Sequence, residues 1–336
     1  MKLFKKIVLC LLVCTIVIIP QTACGGKETV SDNYFCLDTI CTITIYDQDE
    51  ETGKALVAEA FEICKTYENM LSKTIEDSDV YKINHADGQP VEVSDETLEV
   101  IKKGIEFGDL SGGKFDITIG AVSALWDFHS ENPAVPDDAD IQEALKTVDY
   151  TQIKIDENRV TLSNPDAQLD LGGIAKGYIA DRVTEHLQEA GVEQAIIDLG
   201  GNIVALGEKA EGTPWTIGLE RPYSDRSEII GSVKVTNETI TTSGVYERCF
   251  EQDGIMYHHV LDPDTGYPAE TYLEAVTVKA PAGYSAECDA FGTVFLILGE
   301  EKSKKILEQY PDFQAAFIDG DDAVSTGNGM EIQEVE

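Results

Sequence analysis

The chain has 336 residues, of which 43 % are hydrophobic, so it is long enough for one large domain with a substantial core. Its formal net charge of −37 argues against two classes of partner. Nucleic acid needs Lys or Arg contacts to its phosphates, and anionic lipid headgroups need a basic patch. Any anionic ligand must therefore be neutralised locally, by a metal ion, a lysine or backbone N–H groups.

The N-terminus has the pattern of an export signal. A basic segment at residues 1–6 precedes an apolar stretch at 7–19 that is too short for a membrane span of about 20 residues. Ala23 and Cys24 then resemble a lipobox, whose cysteine becomes lipidated, although Gln21 stands where leucine is usual. We expect a 23-residue lipoprotein signal peptide, with ordinary signal peptidase cleavage after Ala23 as the alternative.

The N-terminal signal segment also predicts the cellular location of the mature chain. A lipid anchor (palmitate among its acyl chains) on Cys24 would hold it at the cell membrane, on the extracytoplasmic face. Residues 24–33 are polar and contain two glycines, which predicts a flexible tether. Residues 34–336 contain no clear linker and predict one catalytic domain. Its five cysteines, an odd number without CxxC spacing, are expected to be buried apolar residues rather than a disulfide framework.

Strand and helix patterns mix along the domain without a regular βαβ period. Alternating β-branched residues predict a strand at 35–46, and apolar residues at helical spacing predict a helix at 52–71. A second helix at 94–110 is followed by a glycine-rich break at 111–116 and an apolar run at 117–126. The other predicted helices are 141–147, 174–190, 283–298 and 301–309; the other strands are 153–155, 160–162, 168–171, 194–199, 216–220, 229–235, 239–242, 257–261, 275–279 and 314–318. This mixture predicts an α+β fold.

The segment from Asp170 to Lys176, Asp-Leu-Gly-Gly-Ile-Ala-Lys, is the strongest candidate for a binding site. Two glycines lead directly into a helix, where backbone N–H groups can face an anion and Lys176 can add a positive charge. The spacing matches neither a Walker loop nor GxGxxG. A tight strand–helix turn without a ligand is the alternative.

Two further segments carry side chains that could take part in catalysis or bind a metal ion. His258 and His259 precede a Pro/Asp/Gly turn, and neighbouring residues of a strand face opposite sides, so one of them could serve as a proton acceptor. Asp289 and Thr293 are one helical turn apart, a spacing that suits Mg²⁺ coordination. A structural histidine, and an aspartate that complements the helix dipole, are the alternatives. The segments 111–116 and 243–248 are weaker candidates for pocket walls.

Taken in this order, the motifs resemble the FAD:protein FMN transferase family, also called the ApbE family. The resemblance spans about residues 34–320. It is carried by Leu37-Asp-Thr, Leu71-Ser with Ser78 to Asn84, Gly113-Lys-Phe-Asp-Ile-Thr, Asp170-Leu-Gly-Gly-Ile-Ala-Lys-Gly-Tyr, Leu199-Gly-Gly-Asn, Ser243-Gly, His259-Val-Leu-Asp-Pro-Asp-Thr-Gly-Tyr-Pro and Asp289-Ala-Phe-Gly-Thr. It implies a single large mixed α/β domain of the ApbE-like (T-fold-like) type.

The resemblance also implies an activity and a set of site residues. The enzyme would use Mg²⁺ to cleave FAD and attach FMN to a Thr or Ser of a partner protein, releasing AMP; the family suggests an extracytoplasmic flavoprotein subunit of a membrane respiratory complex. The metal ligands would be the Gly173 carbonyl and the side chains of Asp289 and Thr293, with His259 as the base. The implied FAD contacts are Leu37, Thr74, Lys114, Phe115, Asp116, Asp170, Lys176 and Leu261. Thr74 replaces the Tyr of some members, and Leu37 replaces a frequent Met.

In this interpretation Lys176 and Asp289 take part in catalysis together with His259. Two alternatives remain at this point. Water could replace the protein hydroxyl, which would make the chain an FAD pyrophosphatase that yields FMN and AMP. The chain could also bind FAD without chemistry, as a storage or delivery lipoprotein.

Overall fold

The fold is built around a large antiparallel sheet. The computed structural model describes residues 27–128, 130–209, 211–224 and 228–334. The strands are β1 (Glu28–Cys36), β2 (Thr39–Gln48), β3 (Val91–Glu92), β4 (Ile153–Asp156), β5 (Arg159–Leu162), β6 (Ala195–Leu199), β7 (Asn202–Leu206), β8 (Trp215–Glu220), β9 (Ile229–Val235), β10 (Glu238–Gly244), β11 (Cys249–Gln252), β12 (Ile255–His258), β13 (Leu273–Pro281), β14 (Gln314–Asp319) and β15 (Val324–Gly327). The helices are α1 (Glu50–Leu71), α2 (Asp79–Asn84), α3 (Asp95–Ser111), α4 (Gly120–Trp126), α5 (Asp138–Leu145), α6 (Ala175–Glu189), α7 (Ser285–Leu298) and α8 (Glu300–Leu307).

Eight strands pair in the order β1-β2-β6-β7-β10-β13-β14-β15, and each neighbouring pair is antiparallel. Because successive side chains of a strand point to opposite faces, Val204 lies in the main core, which α1, α6 and α7 share. Ala205, the next residue, lies in a second core on the other face, where the separate β8–β9 pair covers part of the sheet around Trp215. The predicted α+β class is confirmed.

Side-chain caps fix where the two long predicted helices begin. The Asp49 side chain accepts the backbone N–H groups of Glu51 and Thr52 at the start of α1. Ser94 likewise accepts the N–H of Thr97 at the start of α3. Both helices agree with the sequence-based predictions to within two residues at each end.

Three predictions about elements are wrong. Residues 168–171 form no strand, and only Gln168 makes an isolated bridge, to Ile119. The predicted tether through residue 33 is already part of strand β1 from Glu28 onward. The predicted strand at 257–261 ends at His258, so His259 lies just beyond it. Strands β3, β7, β11 and β15 were not anticipated.

The leader and the start of the tether, residues 1–26, lie outside the described residues, and so does the predicted lipidation site Cys24. Among the helices that the structure describes, none is both long enough and apolar enough to cross a membrane. The five cysteines of the domain are all free thiols, and four of them are buried, as predicted.

Candidate active site

A very close approach of α6 and α7 builds the centre of the site. A Cβ atom placed on Gly177 would lie only 2.1 Å from the backbone carbonyl oxygen of Ser285, so a glycine is required where the helices meet. Each helix also supplies a carboxylate to the N-terminus of the other. The Gly177 N–H donates to Asp289 Oδ2 at 3.0 Å, and the Ser285 N–H donates to Asp181 Oδ1 at 2.9 Å. This reciprocal capping holds Asp289, 3 % exposed, against the first turn of α6.

The three predicted metal ligands lie around this crossing. Asp289 and Thr293 are on α7, one turn apart. A Cβ atom placed on Gly173 would lie 3.5 Å from Thr293 Oγ1, so the turn before α6 touches the same region of α7. A carboxylate, a hydroxyl and a backbone carbonyl are hard oxygen donors, a set that fits Mg²⁺. Within the described ranges, no three His, Cys, Asp or Glu side chains gather into a metal site, and the predicted ligand set contains only one such side chain, Asp289.

Lys176 adds a positive charge at the same place. Its Nζ lies 3.5 Å from Asp289 Oδ1. It belongs to the first turn of α6, where the helix dipole already favours an anion and where Ile174, at the N-cap position, provides no side-chain hydrogen bond. The corner can therefore receive a phosphate group despite the strongly negative charge of the whole chain.

His259 directly follows β12 and is held by its backbone. Its N–H donates to the carbonyl of Arg248 at 3.0 Å, whereas its buried Nδ1 atom has no hydrogen-bond partner among the described residues. Burial, together with the positive charges of Arg248 and Lys176, lowers the pKa of His259 to about 3. The imidazole is thus neutral near pH 7, which leaves a ring nitrogen free to accept a hydrogen bond, although the same burial makes it a weak base. The positive charge of Lys176 contributes to this lowering, and the joint role of the two residues in catalysis stays a prediction.

The neighbouring His258 is also buried and has an unpartnered Nδ1 atom in the described structure. Burial lowers its pKa, although a hydrogen bond to the backbone of Ala269 opposes that shift. This bond ties His258 to the segment that follows the Pro/Asp/Gly turn, and we interpret it as a structural residue.

Asp170 is not paired with Lys176. Its Oδ2 instead accepts hydrogen bonds from Lys73 Nζ and Ser123 Oγ, each at 2.7 Å, while its Oδ1 accepts the Gly172 N–H at 2.9 Å. Burial would raise the pKa of Asp170, but the charge and hydrogen bond of Lys73 hold it below its ordinary value. Asp170 therefore fixes the glycine turn, and Lys73 and Ser123 are site-supporting residues that the sequence reasoning missed.

The loop 113–116 reaches the site through Phe115. Its Cε2 atom would lie 3.0 Å from a Cβ placed on Gly173, so the buried ring forms part of the wall beside the glycine turn. Asp116 turns away from this wall, because its oxygens accept hydrogen bonds from Thr118 and from the Tyr150 N–H. In the structure this carboxylate stabilises the loop, and its contact with FAD stays a prediction.

Lys114 connects this loop with the turn that follows the histidines. Its Nζ lies 2.6 Å from Asp262 Oδ1 and 2.8 Å from Asp264 Oδ2. Both carboxylates raise the pKa of Lys114, although burial opposes them. Leu261 is buried beneath the same turn and belongs to a small apolar cluster with Trp126. These residues shape one side of the site.

Leu37 and Thr74 lie in turns at the periphery. Leu37 adopts a φ of 55° in the two-residue β1–β2 turn, and its N–H donates to Glu68 Oε1 at 2.8 Å. The Thr74 hydroxyl contacts that of Ser72 at 3.0 Å. The roles of both residues in FAD binding stay predictions.

Together these features define an enzyme-type site in a mixed α/β protein: hard oxygen donors, a lysine at a helix N-terminus and a neutral histidine, arranged for a phosphate-bearing ligand. The model of the ApbE family matches residues 37–317, and the chain belongs to this family.

Curated relatives and solved structures agree with this family assignment. The FAD:protein FMN transferase of Klebsiella pneumoniae (strain 342) is 39 % identical over 279 residues, which cover 82 % of this chain and 84 % of that protein. The protein of the same name from Treponema pallidum (strain Nichols) is 34 % identical over 328 residues, with 92 % and 90 % covered. The ApbE protein of Thermotoga maritima superposes with a TM-score of 0.81 at 32 % identity, covering 89 % of this chain and 97 % of that one. The flavin transferase ApbE from Vibrio cholerae superposes with a TM-score of 0.79 at 27 % identity, covering 92 % of this chain and 98 % of that one.

These comparisons confirm the predicted family, the mixed α/β fold and the assignment of the chain as an enzyme of the transferase class.

Proposed function

We propose that this protein is a Mg²⁺-dependent FAD:protein FMN transferase. It cleaves FAD at the pyrophosphate, attaches FMN through a phosphoester to a Thr or Ser hydroxyl of an extracytoplasmic partner and releases AMP. The observation that carries the proposal is the pairing of Lys176 and Asp289, 3.5 Å apart at the N-terminus of α6, beside the glycine turn that reaches Thr293. The names of the curated relatives support the same reaction.

The reaction asks three things of the chain. Lys176 and the N-terminus of α6 offset the charge of the pyrophosphate, which is the main requirement of phosphoryl transfer. His259 accepts the proton of the acceptor hydroxyl as its oxygen bonds to the FMN phosphorus and the bond to the AMP oxygen breaks. The buried ring of Phe115, beside the glycine turn, bounds one side of the place where the phosphates would lie.

The Gly173 carbonyl, Asp289 and Thr293 would hold the metal ion. Bound there, Mg²⁺ would supply additional neutralisation of phosphate charge. The donor set fits this ion because it contains only hard oxygens and a single carboxylate, the pattern of a site in which substrate phosphates and waters complete the shell.

The two alternatives make different products, so one gel separates them. We would mix the full chain with FAD, Mg²⁺ and a candidate flavoprotein subunit that carries an acceptor Thr, and look for flavin fluorescence at the mass of that subunit. A fluorescent subunit together with AMP supports transfer. Free FMN and AMP without a labelled subunit would show a pyrophosphatase, and unchanged FAD would show a binding protein.

The proposed location follows from the leader. We propose export and lipidation at Cys24, so that the domain acts at the outer face of the membrane on a subunit of a respiratory complex. Cys24→Ala should release the exported protein from the membrane fraction; a variant that stays bound would contradict the anchor.

A further inference from the structure

Two large apolar side chains are exposed beside the β1–β2 turn. Phe35 on β1 is 68 % exposed and Ile40 on β2 is 65 % exposed. The two residues are directly opposite each other in the strand register, so both side chains stand on the same face of the sheet. We refer to Phe35 and Ile40 as the rim pair.

The same face of β2 becomes covered further from the turn. Thr44 is buried, and the Tyr46 ring packs on that of Trp215 with 4.8 Å between centroids. The β8–β9 pair that carries Trp215 therefore covers the far part of this face and leaves the rim pair open. Along this face of β1, Ser31 and Asn33 are exposed as well, but they are polar, so Phe35 and Ile40 are the large apolar side chains left open there. Such a pair is a candidate contact with something outside the domain.

The rim pair lies at the same end of the sheet strands as the active site, on the face opposite to α6 and α7. A Cβ placed on Gly200, in the β6–β7 turn, would lie 2.4 Å from the side chain of Thr39, the residue before Ile40. The β6–β7 turn is joined to β10 by a backbone hydrogen bond of 3.2 Å. Near its end, β10 carries Ser243, whose Oγ would lie 2.3 Å from a Cβ on Gly292, and the next residue is the metal-ligand candidate Thr293. Contacts thus run without a break from the rim pair to the site.

The β1–β2 hairpin, which carries the rim pair, has negatively charged side chains only. From Glu28 to Gln48 it contains three exposed carboxylates, on Glu28, Asp32 and Asp38, and no Lys, Arg or His. The fourth carboxylate, on Asp47, is buried and accepts the Glu193 N–H. Strand β1 is also an edge strand, because it pairs only with β2 in the described sheet. An extended segment with apolar side chains flanked by Lys or Arg would match both the charge and the free edge.

We propose that the rim pair and the edge of β1 dock the acceptor polypeptide of the transfer reaction. This inference rests on the proposed function, which requires a protein hydroxyl to reach the site. The acceptor segment lies along β1, places apolar side chains on Phe35 and Ile40, and presents basic residues to the hairpin carboxylates. The membrane fits less well, because seven steps of about 3.3 Å put Phe35 roughly 23 Å along β1 from Glu28, the end of the strand nearer the proposed lipid anchor.

Steady-state transfer to a purified flavoprotein subunit tests the proposal with the full chain. Phe35→Ser and Ile40→Ser should each raise KM for the subunit at least about tenfold, while KM for FAD stays unchanged. Ile229→Ser is the matched control, because Ile229 is 38 % exposed on the separate β8–β9 pair and its replacement should leave both constants unchanged.

The outcomes separate the two proposals. If the wild type labels the subunit and both rim variants keep its KM, the docking proposal is wrong and the proposed function stands. If the wild type labels no subunit, the proposed function fails and the docking proposal fails with it. A photo-crosslinking variant, Ile40→p-benzoylphenylalanine, should yield an adduct with the subunit; adducts only with lipid or with a second copy of this chain would overturn the assignment.

Discussion

Gly177→Ala is the substitution whose effect the structure determines most directly. The added Cβ would lie 2.1 Å from the Ser285 carbonyl oxygen, whereas real Cβ atoms essentially never come within 3.0 Å of such an atom. The obstacle is backbone on both sides, so no side chain can rotate away. Helices α6 and α7 must separate by about 1 Å, the difference between these two distances.

The separation has an energetic and a functional consequence. Overpacking of this kind costs about 1–3 kcal/mol, and the better helix propensity of alanine returns at most about 1 kcal/mol. Because the obstacle is backbone, the upper end of this cost applies, and the net loss of about 2 kcal/mol corresponds to a Tm lowered by roughly 4–8 °C. The same movement stretches the hydrogen bond from Gly177 to Asp289 and displaces Lys176. A misplacement of about 1 Å in a catalytic arrangement can cost roughly 100-fold in rate.

Calorimetry and the gel assay for FMN transfer measure the two effects. Gly53→Ala is the matched control, since Gly53 also lies in a helix but its Cβ would meet side chains rather than backbone, with Val30 Cγ2 at 2.7 Å and Val30 Cβ at 3.1 Å. We expect that control to keep its activity and to change its Tm by about 2 °C or less. A Gly177→Ala protein with wild-type Tm and wild-type transfer would refute the idea that the helix approach positions the site.

The remaining predictions concern side chains of the site. His259→Ala should abolish transfer while FAD still binds, and undiminished transfer would contradict its role as the base. Asp289→Ala should remove both activity and Mg²⁺ dependence, and an unchanged Mg²⁺ titration would count against the metal site. The folded chain keeps His259 neutral down to about pH 3, whereas the unfolded chain protonates it near pH 6.5. The free energy of unfolding should therefore decrease as the pH is lowered from 6.5, by roughly 2 kcal/mol at pH 5. Urea titrations should show that His259→Gln loses this slope. Lys73→Met should destabilise the fold by about 2 kcal/mol, because it leaves the charge of the partly buried Asp170 uncompensated. A double-mutant cycle with Asp170→Asn should show a coupling energy of about 1 kcal/mol between the two residues. Additive effects of the two substitutions would argue against this ion pair.

Local patterns predicted most helices, because caps and apolar spacing act within one element. The part of strand β1 from Glu28 to Asn33 was not predicted, because it lacks such a local pattern. Most of its side chains are exposed, so its sequence lacks the apolar alternation that marks a half-buried strand, and it is held by backbone pairing with β2. Long-range partners were equally hidden. Asp170 and Lys73 are 97 residues apart, and nothing in either segment indicates that the two charges meet.

The repeated Asp-Leu-Gly-Gly shows why a motif alone could not define the site. At 198–201 the two glycines take positive φ values, 65° and 92°, and the chain reverses into β7. At 170–173 the glycines keep negative φ values and the chain continues into α6. In both copies the aspartate accepts a glycine N–H, from Gly172 in one and from Gly201 in the other.

The difference between the copies lies in the residues that follow. Ile174-Ala-Lys can continue as a helix, whereas Asn202-Ile-Val favours a strand. Only the first copy therefore places a helix N-terminus, and with it Lys176, behind the glycines. Exchanging residues 174–176 for Asn-Ile-Val would keep the motif yet should abolish transfer, because the turn would lose both the helix N-terminus and the lysine. Retained activity in that variant would show that the glycine turn alone binds the phosphates.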